Sequence, residues 1–334
     1  MKNILYYLSL CLFLFSCKKD SKDEITLNLS ASKKYAVTFT ATSFSQEVAP
    51  ISKSTGNRVS AIPLKGMAKY FIYVVYDASG REVSEIRQDS SGATHRIIDD
   101  KFYPDSDQVG ARQKMPYGVF KDSLPKGDYT VVMIASNAEF SLNSRYNNFQ
   151  ELKFFPYKDA YFQYSRGLVE SSRSEDTFYK KFKLTIDDKT IQQNIQLDRI
   201  VGKVELNILD SQVGAGSIYQ VLIQNDGEIF RLATDQAAPG GSNDYETSTS
   251  GYSKYGIFGG KNSQYFVLNT VTPIQVVIIY HINGIKTVKT IDNVSIYKNR
   301  KTILTGSLFT DKTEVGFNTT VNDQFDQEYV EHSF

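Results

Sequence analysis

Few residues in this 334-residue chain have the type and spacing that bond-making chemistry requires. A zinc site draws on several His or Cys ligands in short, regular spacings. The three histidines, His95, His281 and His332, stand far apart with no such spacing, so no metal site is expected from them. His281, beside Asn283-Gly284, reads as a surface residue of a hairpin. A serine nucleophile on a strand-to-helix elbow needs Gly-x-Ser-x-Gly. The nearest match, Gly251-Tyr252-Ser253-Lys254-Tyr255-Gly256, has one residue too many. Gly214-Ala215-Gly216 lacks the third glycine and the following helix of a phosphate-binding loop. Asp99, Asp100, Asp105 and Asp107 offer hard oxygen ligands suited to Ca²⁺, but not in the spacing of a known calcium loop, and a solvated loop is the expectation. Carboxylates paired only in space, as glycoside hydrolysis needs, are not legible in one sequence. No catalytic residue, metal or cofactor is therefore assigned, and the chain is not expected to be an enzyme.

One side chain does sit in a chemical setting. Cys17 closes an apolar run led by Lys2 and precedes the charged stretch Lys18-Lys19-Asp20-Ser21-Lys22-Asp23-Glu24. The apolar part, Ile4 to Phe15, falls well short of the roughly 20 residues that span a bilayer, so residues 1–16 read as a signal to be removed. Leu14-Phe15-Ser16-Cys17 resembles a lipobox, in which the thiol is alkylated with diacylglycerol and cleavage leaves that Cys as the N-terminus. Phe15 is bulky for its position, and an ordinary secretory signal cut nearby is the alternative. Each buried CH₂ adds about 0.8 kcal/mol; one acyl chain holds a protein marginally, whereas two or three hold it almost permanently.

Composition bounds the remainder. Removing residues 1–16 takes away Lys2, leaving 37 basic residues against 37 acidic ones, with no footprint for nucleic acid. Cys11 is lost with the signal and Cys17 is acylated, so no thiol remains for a disulfide or a nucleophile. An exported body without disulfides depends on its cores. The whole chain is 41% hydrophobic, and the residues left after the signal are enough to supply two of them.

The pattern along the chain is that of strands and turns. Residues 17–30 are polar and charged, a lipidated flexible tether. Tyr35, Val37, Phe39 and Ala41 then alternate with polar or small residues, as in a half-buried strand. Tyr70–Asp77, the turn Asp77-Ala78-Ser79-Gly80 and Arg81–Arg87 predict a hairpin. Pro125-Lys126-Gly127-Asp128 predicts a turn into a continuous apolar strand, Tyr129–Ala135. Tyr146, Phe149, Leu152 and Phe155 recur at near-helical spacing before Pro156, predicting a short helix or helical loop between Tyr146 and Gly167. Phe178 to Ile186 resume alternation, and Asp187-Asp188-Lys189 marks a boundary close to residue 190.

Beyond it, Ile195 and Leu197 lead to Val204, Leu206 and Ile208, opposed by Lys203, Glu205 and Asn207 in an amphipathic strand. Asn225-Asp226-Gly227 predicts a hairpin turn, and Asp235–Gly260, poor in aliphatic residues, a long mobile loop. Tyr265–Leu268 is the next strand, and Ile274–Ile282, Asn283-Gly284 and Ile285–Ile291 carry the strongest local hairpin signal. Lys301–Phe309 and Val315–Val321 supply the last strands. The fold expected is all-β, two tandem β-sandwich domains over residues 31–190 and 191–334.

Several runs together resemble a known family. The first half carries Tyr73-Val74-Val75-Tyr76-Asp77, Leu124-Pro125-Lys126-Gly127-Asp128-Tyr129-Thr130-Val131 and Ala135-Ser136-Asn137. The second carries Leu197-Asp198-Arg199-Ile200-Val201-Gly202-Lys203-Val204 and Lys298-Asn299-Arg300-Lys301-Thr302-Ile303-Leu304-Thr305-Gly306-Ser307-Leu308-Phe309. With the lipobox, they resemble the fimbrillin-like lipoproteins of the Bacteroidota, particularly the FimB and Mfa-type fimbrial anchor group. The resemblance covers nearly the whole mature chain.

It implies transthyretin-like Greek-key sandwiches, an outer-membrane lipid anchor at the cell surface and a place in a fimbrium as anchor or minor subunit. It also implies that subunits join by strand donation, an incoming strand satisfying open backbone groups at a sheet edge. The segments expected to take part are Tyr35–Ala41 and Val315–Val321. Polymer subunits of the family are cut after an Arg near the first strand; Arg58 is the Arg in that place here, and an anchor needs no such cut. The rival expectation is a surface glycan-binding lipoprotein of a polysaccharide-uptake system. Its ring platform would come from Tyr157, Tyr161, Phe162 and Tyr164, or from Tyr252 and Tyr255, among 22 Tyr and 21 Phe with no Trp. A host or glycan ligand is compatible with either role.

Overall fold

The computed structural model describes residues 33–45, 64–91, 94–97, 115–142, 156–164, 174–210, 218–227, 229–238, 254–259, 262–309 and 317–322. Two compact units are distinguished, Met1–Lys33 and Lys34–Phe334, and every element below belongs to the second. In chain order the strands are β1 (Lys34–Ser45), β2 (Tyr70–Asp77), β3 (Glu82–Asp89), β4 (Thr94–Ile97), β5 (Val119–Pro125), β6 (Gly127–Ser136), β7 (Phe140–Leu142), β8 (Tyr161–Tyr164), β9 (Thr177–Ile186) and β10 (Ile191–Arg199). They continue as β11 (Gly202–Ile208), β12 (Ile218–Gln224), β13 (Ile229–Arg231), β14 (Gln236–Ala238), β15 (Lys254–Gly259), β16 (Asn262–Val267), β17 (Ile274–Ile282), β18 (Ile285–Val294), β19 (Lys301–Gly306) and β20 (Asn318–Asn322). One helical turn, α1 (Leu64–Met67), and a 3-10 turn at Tyr157–Asp159 are the helical pieces among the described residues. The fold is all-β.

The largest sheet runs β4-β3-β2-β6-β9-β10-β1-β5. Its two leaves meet only where Asp198 and Arg199 of β10 pair with Tyr179 and Phe178 of β9. That narrow joint lets β10, β1 and β5 face β2, β6 and β9 across a shared core. Phe39 of β1 accordingly packs on Tyr73 of β2, their ring centroids 5.7 Å apart, although the two strands are not neighbours in the sheet. Phe71, Val75, Val131, Met133, Ile195 and Leu197 fill the same layer.

The opposite face of β2 and β6 is buried as well. Ile72, Val74, Tyr76, Val132 and Ile134 pack beneath a small sheet ordered β14-β13-β8-β7. Covering on both faces is why Tyr70–Asp77 and Tyr129–Ala135 read as continuous apolar runs rather than alternating ones. A third core lies between the sheets β16-β11-β19-β20 and β15-β12-β17-β18, with Val204, Leu206, Val221, Val276, Ile278 and Leu304 at its centre.

Several expectations are corrected. Downstream of Pro156 the chain makes a 3-10 turn and then strand β8, because Phe162 and Tyr164 alternate inward while the backbone pairs with β7 and β13; residues 146–155 lie outside the described residues. Asn225-Asp226-Gly227 is a corner between sheets, not a hairpin. β12 pairs with β15 and β17, and the chain beyond the corner joins β8 and β14. The buried Asp226 holds this corner, its Oδ1 accepting the N–H groups of Gly227, Leu268 and Asn269 at 2.8, 2.8 and 2.9 Å. The segment 235–260 contains β14 and β15, whose backbones are satisfied by β13 and β12; residues 239–253 lie outside the described residues. Strand β10, placed by its sequence at the head of the second half, hydrogen-bonds within the first sheet.

Candidate assembly interface

The slot that holds β1 is built by its neighbours on either side. β10 runs parallel to it, Val37 through Ala41 facing Ile191 through Ile195, and β5 runs antiparallel, Lys34 through Thr40 facing Pro125 through Val119. Parallel pairing between elements so distant in sequence demands long connections on both sides. Thus β1 is an interior strand although it is the first one described. Alternation puts Val37, Phe39 and Ala41 into the core, while Ala36 and Thr42 stay exposed.

The core face of the slot is aromatic. Phe39 meets Phe182 edge-on at 5.4 Å; Tyr73 stacks on Phe120 at 5.5 Å, and Phe120 meets Phe71 at 4.8 Å. Full burial of a side chain such as Val37 or Phe39 is worth roughly 1.5–3 kcal/mol, and both are completely buried. The strand is thus held by apolar side chains and two backbone ladders. Its covalent link to β2 is the segment 46–63, which includes Arg58 and lies outside the described residues, as do Cys17, Tyr252, His332 and Asp99, Asp100, Asp105 and Asp107. The last described strand, β20, lies antiparallel on β19 at the edge of its sheet as described and is largely exposed, with Phe317 packed at its entry.

A polar junction fastens the first sheet to the second half. Arg199, at the end of β10, donates Nε and Nη2 to the two carboxylate oxygens of Asp176 at 2.7 and 2.8 Å, and Nη1 to Asn299 Oδ1 at 2.8 Å. Its guanidinium lies 4.9 Å from the Phe178 ring centroid. Asn299 is held in left-handed conformation, φ 57°, by its own N–H donating to Val201 O. Next to it, Gly202 admits no side chain: a Cβ there would lie 2.4 Å from Ile296 Cγ2 and 2.6 Å from Tyr297 O. Beyond Gly202, Lys301 and Glu205, both buried, form an ion pair at 2.9 Å, and Gln264 donates to the same carboxylate at 2.8 Å. Glu205 was expected on a polar face; that face is covered and the charge is paired.

A second latch joins β9 to the segment after β13. Tyr179 donates its hydroxyl to Asp235 Oδ1 at 2.8 Å, and Lys181 Nζ lies 2.8 Å from the same oxygen while donating to Leu232 O at 3.0 Å. Burial and then the Asp235 charge push the Tyr179 phenol well above its ordinary range. Burial alone would lower the Lys181 ammonium, but hydrogen bonds to Asp235 and Tyr157 outweigh it and raise it. These charges tie strands together, and sequence reasoning missed them. The signal was there in Leu197–Val204 and Lys298–Phe309, which the fold brings into contact.

Of the rings expected to build a sugar platform, Phe162 and Tyr164 point into the core instead. Phe162 is completely buried, stacked on Phe230 at 5.3 Å and edge-on to Phe140 at 5.6 Å. Tyr164 is buried too, its hydroxyl 2.7 Å from Thr177 Oγ1. Tyr157, half-buried, rests on Tyr76 and donates to Leu232 O at 3.3 Å. Tyr161 is also half-buried, and the side chain of Tyr255 lies outside the described residues. His281 is exposed near the end of β17, paired in register with Lys286, and His95 lies on β4. Among the described residues no group of three or more His, Cys, Asp and Glu gathers to hold a metal, and no helix is long and apolar enough to cross a membrane.

No protein-family model and no curated protein matches the chain. Solved structures similar to it include the fimbrial anchor protein Mfa2 from Porphyromonas gingivalis, 10% identical, covering 89% of this chain and 100% of that one at a TM-score of 0.46. The tip fimbrial protein Mfa3 from the same organism, with a C-terminal truncation, is 11% identical over 87% of this chain and 99% of that one, at 0.40. A candidate adhesin from Bacteroides ovatus is 8% identical over 86% and 93%, at 0.48.

Proposed function

We propose that this chain is a surface lipoprotein acting as a structural component of a fimbrium, an anchor or minor subunit that joins others by strand complementation and catalyses no reaction. The observation that carries the reading is the place of β1: the first described strand, yet inside a sheet, flanked on both sides by pairing partners and seated on an aromatic core. Taking β1 out would leave two facing lines of open backbone groups, on β10 and β5, and an apolar trench between them, which an extended segment of another subunit fits by the same alternation. The resemblance of the sequence runs, two of which meet at Arg199 and Asn299, supports the same family of roles. In this reading Cys17 carries the acyl chains in the outer membrane, residues 17–30 are the tether, and a cut after Arg58 is the step that would free β1. The body comprises two sandwich modules, the first extending through β10 and the second beginning at Gly202.

The test takes a chain with a specific protease site in place of residues 55–60. After cleavage, a labelled peptide of residues 34–45 is expected to exchange into the slot, and one with Phe39→Asp is expected not to. Absence of exchange after complete cutting, with the rest of the fold intact by circular dichroism, rules out a releasable strand. Metabolic labelling with a clickable palmitate analogue tests the anchor: labelling is expected for the native chain and not for Cys17→Ala.

A further inference from the structure

The longest edge strand among the described residues is β18, ten residues at the end of the sheet β15-β12-β17-β18. Its inner side pairs with β17 from Ile285 through Ile291 and again at Val294, with a bulge between, while no described strand pairs with its outer side. Lys286, Val288, Thr290 and Asp292 stand exposed on one face, and Val288 and Ile285 are 54% and 71% exposed. A long, proline-free edge bearing exposed aliphatic residues is a ready template for another strand, and lysines on it limit which strand can bind.

We propose that β18 pairs antiparallel with β18 of a second copy, about a two-fold axis passing through Val288. An axis normal to the sheet keeps each face on its own side, so paired residues must share the alternation of β18. With Val288 on the axis, Val288 meets Val288, Lys286 meets Thr290, Thr287 meets Lys289 and Ile285 meets Ile291. Lys286 also falls diagonal to Asp292 of the second copy, within reach of a long side chain. No like charges are opposed. Centring the axis one residue on would set Lys289 against Lys289, which is repulsive. The strand thus favours a copy of itself in this register: its lysines disfavour any axis centred on a lysine, and with Val288 at the centre its apolar positions meet and Lys286 reaches Asp292. The result is one continuous eight-stranded sheet across two copies. This inference goes beyond the reading of β1 and does not rest on it.

The test uses the full chain in detergent, by size-exclusion chromatography with light scattering across a range of concentrations. A concentration-dependent dimer is expected, and Val288→Lys, which opposes two ammonium groups at the axis, is expected to abolish it while leaving the circular dichroism melt in place. Val321→Lys, on the separate edge strand β20, is expected to leave the dimer intact. Should Val288→Lys fold poorly, mild oxidation of Val288→Cys is expected to give a covalent dimer that Val271→Cys does not. A monomer at every concentration, a dimer indifferent to position 288, or equal cross-linking from both cysteines overturns the proposal.

Discussion

Strands β1 and β18 share a pattern and have opposite fates. Both are long, twelve and ten residues, and in both more and less exposed residues alternate. Yet β1 is closed on both sides, with Val37 and Phe39 completely buried, whereas among the described residues β18 is paired on one side only, with Val288 and Ile285 largely exposed. The period-two pattern sets the pleat and the inward face. Which backbone groups find partners is set by strands far away: residues 119–125 and 191–199 for β1, and only the adjacent β17 for β18.

The sharpest way to break this comparison is Phe39→Ala, which empties a site bounded by Tyr73 and Phe182. A loss of about 3–5 kcal/mol in denaturant unfolding is expected; a loss near zero would mean that β1 is not seated as described. Lys301→Met isolates Glu205 in a covered site and is expected to cost a similar 3–5 kcal/mol, whereas the pair Lys301→Met with Glu205→Leu recovers most of it. A double variant no better than the single one would show that the ion pair holds the junction by more than mutual neutralisation. Val288→Lys sits at the other extreme, since its side chain is in water in the isolated chain. Its unfolding free energy at dilution, where any dimer has dissociated, is expected to stay within about 0.5 kcal/mol of the parent.

Much of the architecture was legible locally. The limits of β2 and the turn at Asn283-Gly284 follow from residue types alone, the latter because both residues take positive φ, 49° and 79°. Where the reading failed, long-range pairing had overridden local pattern. The stretch beyond Pro156 became a strand because β7 and β13 were there to receive it, and Asn225-Asp226-Gly227 became a corner because Asp226 bonds backbone that lies 42 and 43 residues onward. The aromatic set at Tyr157–Tyr164 offered rings in abundance, but not the face they would turn to. For the interface, the alternation in β1 was visible, and its interior position was not.

The sequence by itself determined that this is a β protein without a usable thiol in its body, that its signals for turns and strands recur along the whole length, and that Cys17 stands where a lipid could be attached. Tertiary structure alone decided that β1 lies inside a sheet, that Arg199 and Asn299 meet across a hundred residues, and that no described strand lies on the outer side of β18. The physical reason is that alternation and turn chemistry act over a few residues, whereas backbone pairing and the neutralisation of buried charge are satisfied only by whatever the whole chain brings alongside.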